Sequence, residues 1–251
     1  MISVVDVNCD LGESFGVYRL EVDDQVYRYI SSVNIACGYH AGDHNVMQTS
    51  VERAQAYQVN IGAHPGLPDR MGFGRRYMDM EAREVYNLVV YQIGALQAFI
   101  HLHGGRLHHV KPHGALYHMG AHNSTIAEAI AKAVYDLDTS LVLYALAGSV
   151  LVERGRKLGL TVAEEVFADR TYQSDGSLTP RSQKNALITS STEAIEQIIT
   201  CLRTGTMRTV TGTSIHLQAD TICVHGDSPQ ALGFLQELYN GLRAEGIRIG
   251  M

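Results

Sequence analysis

Short apolar runs rich in Val, Ile and Leu recur along the chain and alternate with longer stretches whose apolar positions repeat at helical spacing. Runs of the first kind fall near residues 2–8, 32–36, 59–62, 107–111, 140–146, 160–166 and 219–224, and each predicts a strand. Between them the spacing predicts helices. The clearest spans Glu81 to His103, where Val85, Leu88, Val89, Gln92, Ile93, Leu96 and Ile100 recur, Asp79 stands as an N-cap and Gly104-Gly105 ends the run. Asn123-Ser124 caps a second through Ile126, Ile130 and Val134. Ser190 followed by Glu193 opens a third through Ile195, Ile198 and Leu202, and Ser228-Pro229 opens the last, to Ala244. Strands alternating with helices predict βαβ units around a parallel sheet. Seven of them suggest a closed or nearly closed (β/α) barrel, with an open doubly wound sheet as the alternative. No repeat, linker or low-complexity tract interrupts the pattern, so residues 1–251 read as a single domain.

The polar residues that break the pattern gather where the strands end. His40, His64, His113 and His225 each close an apolar run and are followed within two residues by glycine. Asp10, with Gly12 and Glu13 behind it, closes the first run in the same way, and Lys111 closes the fourth. In α/β folds, ligands and catalytic groups collect at the carboxyl ends of strands. Asp10, His40, His64, Lys111, His113 and His225 are therefore expected to meet at one end of the barrel as its catalytic groups. The neighbouring Glu13, Asp43, Arg75, Asp169, Arg170 and Asp227 are expected to bind substrate, with arginines suited to a carboxylate or phosphate.

Plainer readings stand beside these. Asp10 and Glu13 fit a turn and a helix start, the arginines of the long loop 65–77 fit a solvated surface, and Asp43 fits an N-cap. His40 and His44 stand four apart, as a metal pair on one helix face would, but Gly42 between them argues for a loop entering a helix. A lysine ending an apolar run is costly to bury unless paired or working. If strand alternation holds, His109 shares the face of Lys111 while His108 points away. His101, His103, His108, His122 and His216 are given no role.

Composition narrows the classes. Hydrophobic residues make up 45% of the 251 and charged residues 18%, ordinary globular usage. A net charge of −6 argues against a nucleic-acid partner. No apolar run is read as reaching membrane-spanning length, and the start carries no basic leader. Four cysteines without a Cys-x-x-Cys spacing predict reduced thiols in the cytoplasm. Neither a Walker-type loop nor a G-x-G-x-x-G spacing occurs, so no standard nucleotide loop is expected.

Six segments carry a resemblance. Asn8-Cys9-Asp10-Leu11-Gly12-Glu13, Asn34-Ile35-Ala36-Cys37-Gly38 with His40-Ala41-Gly42-Asp43, Gly62-Ala63-His64-Pro65-Gly66, His109 to Tyr117, Glu165 to Arg170, and Cys223 to Asp227 resemble the LamB/YcsF family, in its order, from about residue 4 to 248. Val7 and His118 depart from the family's usual leucine and asparagine, and His44 lies just outside its His-Ala-Gly-Asp motif. The resemblance implies a seven-stranded (β/α) barrel of the glycosidase/deacetylase type. It also implies the 5-oxoprolinase reaction, in which 5-oxo-L-proline, ATP and water give L-glutamate, ADP and phosphate, performed with partner subunits B and C. ATP is then expected to bind mainly on the partners, and a divalent metal stays open. Two other functions compete: a metal-dependent deacetylase-like hydrolase with Asp10, His40 and His64 as ligands, and a non-catalytic small-molecule-binding subunit.

Overall fold

The computed structural model describes residues 3–20, 24–225 and 231–250, with the side chain of His225 outside the described set. Its strands are β1 (Val4–Leu11), β2 (Ser32–Ala36), β3 (Asn60–His64), β4 (Leu107–Val110), β5 (Val142–Leu146), β6 (Thr161–Phe167), β7 (Thr206–Arg208), β8 (Ser214–His216), β9 (Thr221–His225) and β10 (Arg248–Ile249). Its helices are α1 (His44–Ala56), α2 (Ala82–Leu102), α3 (Gly114–His122), α4 (Ser124–Leu137), α5 (Val150–Leu158), α6 (Ser191–Thr204) and α7 (Ala231–Ala244). Among the described residues, β1 to β6 and β9 pair in parallel in that order, and β9 returns to β1 with Asp6 opposite Thr221 and Asp10 opposite His225. The sheet is therefore a closed seven-stranded barrel, as the strand count predicts, rather than an open one. β7 and β8 form a separate antiparallel hairpin, and β10 adds to the start of β1.

β1 alternates apolar and polar residues, and inward polar groups recur on the neighbouring strands, which is unusual for a parallel sheet buried on both faces. Outward positions such as Val5, Val7, Cys9, Val33, Ile35, Ile61, Val110, Leu143, Val166 and Ile222 are buried and apolar, as contact with the helices requires. Many inward positions are polar. At the amino end, Asp6 accepts from Ser32 at 2.6 Å and Tyr144 at 2.9 Å. One layer up, Asn8 donates to Thr221 at 2.7 Å, Asn34 donates to Asn8 at 2.7 Å, and His109 Nε2 donates to Asn34 Oδ1 at 2.7 Å. His109 also stacks on Tyr144, with centroids 4.1 Å apart. Each of these inward side chains thus has a partner, which burial demands. As the alternation predicts, His109 and Lys111 are buried inside while His108 is only half-buried.

Gly62 on β3 makes room for this interior. A Cβ at that position would run into the His109 ring, whose Nε2 is tied to Asn34. Gly62→Ala should lower stability by about 1–3 kcal/mol through overpacking, read as a shifted urea midpoint. An unchanged midpoint would mean that the ring can move aside.

Several element ends differ from the sequence reading. β1 runs to Leu11, so Asp10 lies within the strand, on its inward face, rather than after it. α2 is capped by Glu81, not Asp79, and the Glu84 carboxylate accepts from the Glu81 N–H at 2.9 Å. Asn123 and Ser190 cap α4 and α6 as predicted. The predicted start of the last helix at Ser228-Pro229 lies outside the described residues. By length and composition, the 21-residue α2 would suffice to cross a membrane, contrary to the reading of the apolar runs. Its apolar face, Val85, Leu88, Val89, Ile93, Leu96 and Ile100, is buried, and it packs beside α4, so burial within the fold accounts for that composition.

Candidate active site

Lys111 follows β4 with its side chain inside the barrel. Its Nζ lies 2.9 Å from both Asp10 Oδ1 and Glu165 Oε1, and donates also to Asn8 Oδ1 at 3.1 Å and Cys223 Sγ at 3.0 Å. Burial opposes the charge, but Asp10 and Glu165 hold the ammonium well above the ordinary lysine range. Both carboxylates are held in turn. Asp10 Oδ1 accepts from Asn34 at 2.8 Å, and Glu165 accepts from Asn8 at 2.9 Å and Tyr117 at 2.7 Å. Burial keeps the Cys223 thiol protonated, so it accepts from Lys111 rather than acting as a nucleophile.

Three histidines stand against this cluster. His64 Nε2 lies 3.3 Å from Asp10 Oδ2 and 2.9 Å from His113 Nδ1. His40 lies flat on His113, with centroids 3.7 Å apart and planes 3° apart, and its Nε2 is 3.3 Å from Glu13 Oε1. All three rings are buried. Burial first, and neighbouring histidines second, hold His40 and His113 well below the usual imidazole value, so both are neutral at pH 7.

Loop 65–77 builds the wall around these rings. Pro65 O and Gly74 O accept from the His113 and Ala115 N–H groups, each at 2.8 Å, fastening the loop to the start of α3. Gln92 of α2 clamps Gly66 from the other side, with both amide bonds at 2.9 Å. Glycine is required at two points: a Cβ on Gly66 would stand 2.5 Å from His40 Nδ1, and one on Gly74, at φ +64°, would stand 2.7 Å from His40 Cβ.

A cavity of about 630 Å³ opens over the carboxyl ends of the strands. Asp10, Glu13, His64, Lys111 and His113 form its floor, while Arg75, Arg170, Arg181, Tyr117 and Phe167 line it further out. Arg170 is buried and donates to Thr179 O at 2.6 Å and Ala186 O at 3.2 Å. Burial lowers its pKa to about 10, which leaves it charged at pH 7.

Of the predicted catalytic groups, Asp10, His64, Lys111 and His113 therefore meet in the cavity floor, and His40 stands behind His113. His225 reaches the same level as Asp10 through its backbone, with its side chain outside the described residues. Glu13, Arg75 and Arg170 also line the cavity. Asp43 does not. Its carboxylate caps α1, accepting from Asn45 N at 2.9 Å, Val46 N at 3.0 Å and Gly16 N at 2.7 Å, and it borders a smaller neighbouring cavity of about 250 Å³. A cap so occupied has little left for substrate. Asp169 lies outside the cavity lining, and Asp227 lies outside the described residues. His44 is exposed at the start of α1.

Sequence reasoning gave no role to Glu165, Tyr117, Asn8 and Asn34, which hold Lys111 and Asp10 in place. Its signal was present: a carboxylate in the inward register of an apolar strand needs a cation. Among the described residues, the donor atoms that come together for a metal are those of Glu13, His40, His64 and His113, all within 4.8 Å of one another. That set differs from Asp10, His40 and His64, because Asp10 Oδ1 is engaged by Lys111 and Asn34.

The LamB/YcsF family model matches residues 5–251. The chain is 56% identical over 245 residues to the A subunit of 5-oxoprolinase from Halalkalibacterium halodurans, covering 98% of this chain and 95% of that one. It is 55% identical to the corresponding 5-oxoprolinase chain of Tolumonas auensis, covering 98% of each. Among solved structures it is similar to the lactam utilization protein from Thermus thermophilus, with a TM-score of 0.92, 41% identity and 98% of each chain covered.

Proposed function

This chain belongs to the LamB/YcsF family, and we propose that it is the A subunit of an ATP-dependent 5-oxoprolinase, which opens 5-oxo-L-proline to L-glutamate as ATP is hydrolysed to ADP and phosphate. The observation that carries the reading is the charged Lys111 held between Asp10 and Glu165, beside His64, on the floor of a cavity rimmed by arginines. The relatives named above support the reaction.

A five-membered lactam is a stable amide, and attack on it builds negative charge on the carbonyl oxygen. The Lys111 ammonium is fixed and largely removed from water, where such a donor stabilises an oxyanion most. Activation by ATP at that oxygen gives water an easier target. Asp10 stands next to Lys111 with Oδ2 turned toward His64 Nε2, placed to take the proton of an attacking water. Arg75 and Arg170 supply positive charge for the substrate carboxylate. Tyr117 donates to Glu165, and Asn8 donates to Glu165 and accepts from Lys111, so both serve to position Lys111.

ATP binding belongs mainly to partner subunits B and C in this reading, because the chain has no standard phosphate loop. The four cysteines are free and buried, which suits the cytoplasm. The isolated chain should release negligible glutamate from 5-oxoproline and ATP, and adding subunits B and C should restore turnover. Robust release by this chain alone would contradict the division of labour, and none from the full assembly would contradict the reaction.

A further inference from the structure

His64 and His113 each commit one ring nitrogen to a backbone carbonyl. His64 Nδ1 donates to Lys111 O at 2.7 Å, and His113 Nε2 donates to Phe73 O at 2.8 Å. A carbonyl only accepts, so the outer nitrogen of each ring carries a proton. The inner nitrogens, His64 Nε2 and His113 Nδ1, face each other at 2.9 Å, a separation that two bare lone pairs do not hold. Facing lone pairs repel unless a cation lies between them. Glu13 brings a carboxylate oxygen to the same place, 3.7 Å from His113 Nδ1 and 3.3 Å from His40 Nε2. Four donors therefore surround one small volume, and all four atoms lie within 4.8 Å of one another.

We propose that Glu13, His40, His64 and His113 hold a divalent transition-metal ion of the zinc class at the mouth of the barrel. Three imidazoles and one carboxylate suit that class rather than magnesium or calcium, which take oxygen ligands. Zinc bonds of about 2.0–2.2 Å in tetrahedral geometry place neighbouring donors about 3.3–3.6 Å apart. The Glu13–His40 separation of 3.3 Å falls in this range, the Glu13–His113 separation of 3.7 Å closes slightly, and the His64–His113 pair opens by a few tenths of an ångström. His40 turns about its Cβ–Cγ bond to bring Nε2 off the His113 stack. Its Nδ1 has no hydrogen-bond partner among the described residues, so no bond resists the turn. Backbone carbonyls on the far nitrogens of His64 and His113 are the supports that orient metal-bound imidazoles. Because Glu13, His64 and His113 line the cavity, a bound ion faces whatever occupies it, where such ions polarise a carbonyl or acidify a water. The inference concerns the ion alone and stands whether or not the 5-oxoprolinase reading does.

The test uses the full chain without substrate or partners. Purified protein, dialysed against metal-free buffer, should retain one zinc-class ion per chain by elemental analysis. After chelation, Co²⁺ should restore the occupied site with a visible absorption band of four-coordinate type. Glu13→Gln keeps the shape of a side chain that is only 6% exposed and should weaken zinc binding by more than the ~10–100-fold typical of an outer-shell loss, and His113→Ala should abolish the cobalt band. His44→Ala, at an exposed position outside the cluster, should change neither. Folding of each variant is checked by circular dichroism. Metal-free protein that takes up neither Zn²⁺ nor Co²⁺ would overturn the proposal and leave a shared proton between His64 and His113. Binding that survives Glu13→Gln and His113→Ala unchanged would place the ion elsewhere and overturn it equally.

Discussion

Lys111→Met should cut glutamate release by the assembled enzyme ~10²–10³-fold per folded chain, and should destabilise the chain by about 3–5 kcal/mol. The rate loss is that of removing one fixed donor from a developing oxyanion. The stability loss follows from burial. Methionine matches the length of lysine but leaves the Asp10 and Glu165 carboxylates, each 2.9 Å from the former ammonium, without the cation between them, and breaking one partner out of a buried ion pair carries that cost. Asn8 and Tyr117 still donate to Glu165, and Asn34 still donates to Asp10, so the lower end of the range is expected. Urea titration gives the stability, and the assay is run at a temperature where the variant is folded. A stable, active Lys111→Met variant would mean that Lys111 is neither charged nor near the chemistry.

Asp10→Asn should reduce turnover ~10²–10⁴-fold, the usual loss for a general base, while changing the urea midpoint little. Asparagine keeps an oxygen for the Asn34 donor, and Lys111 keeps Glu165 as its counter-charge. Binding of 5-oxoproline should survive. This separates a catalytic site from one that only binds, because a binding-only site has no turnover to lose when a carboxylate becomes an amide. Near wild-type release from the assembled Asp10→Asn enzyme would return Asp10 to a structural role.

Much of this was legible before any coordinates. Apolar runs bounded by glycine marked the seven barrel strands to within a few residues, because outward positions must be apolar against the helices. The meeting of Asp10, His64, Lys111 and His113 followed from the rule that ligands gather at strand carboxyl ends. What failed to show was the inside of the barrel. Asp10 reads as lying past its strand, because aspartate beside Leu11-Gly12 looks like a strand exit, whereas the Asn34 and Lys111 partners that let it stay in the strand come from β2 and from the end of β4. Glu165 was one of two adjacent glutamates, and only the register of β6 against β9 shows that it faces inward opposite Thr221. Asp43 was legible both as a cap and as a ligand, and the bond from Gly16, 27 positions away, completes its role as a cap. The stacking of His40 on His113 depends on how loop 65–77 wraps the rings, which no local pattern encodes.

The most direct measurement is the position of 5-oxoproline in a crystal structure of this chain assembled with subunits B and C. The account predicts the lactam on the cavity floor, with its carbonyl oxygen within hydrogen-bond distance of Lys111 Nζ and its carboxylate toward Arg75 and Arg170. A ligand seated elsewhere in the assembly, with Asp10, His64 and Lys111 touching only one another, would contradict it.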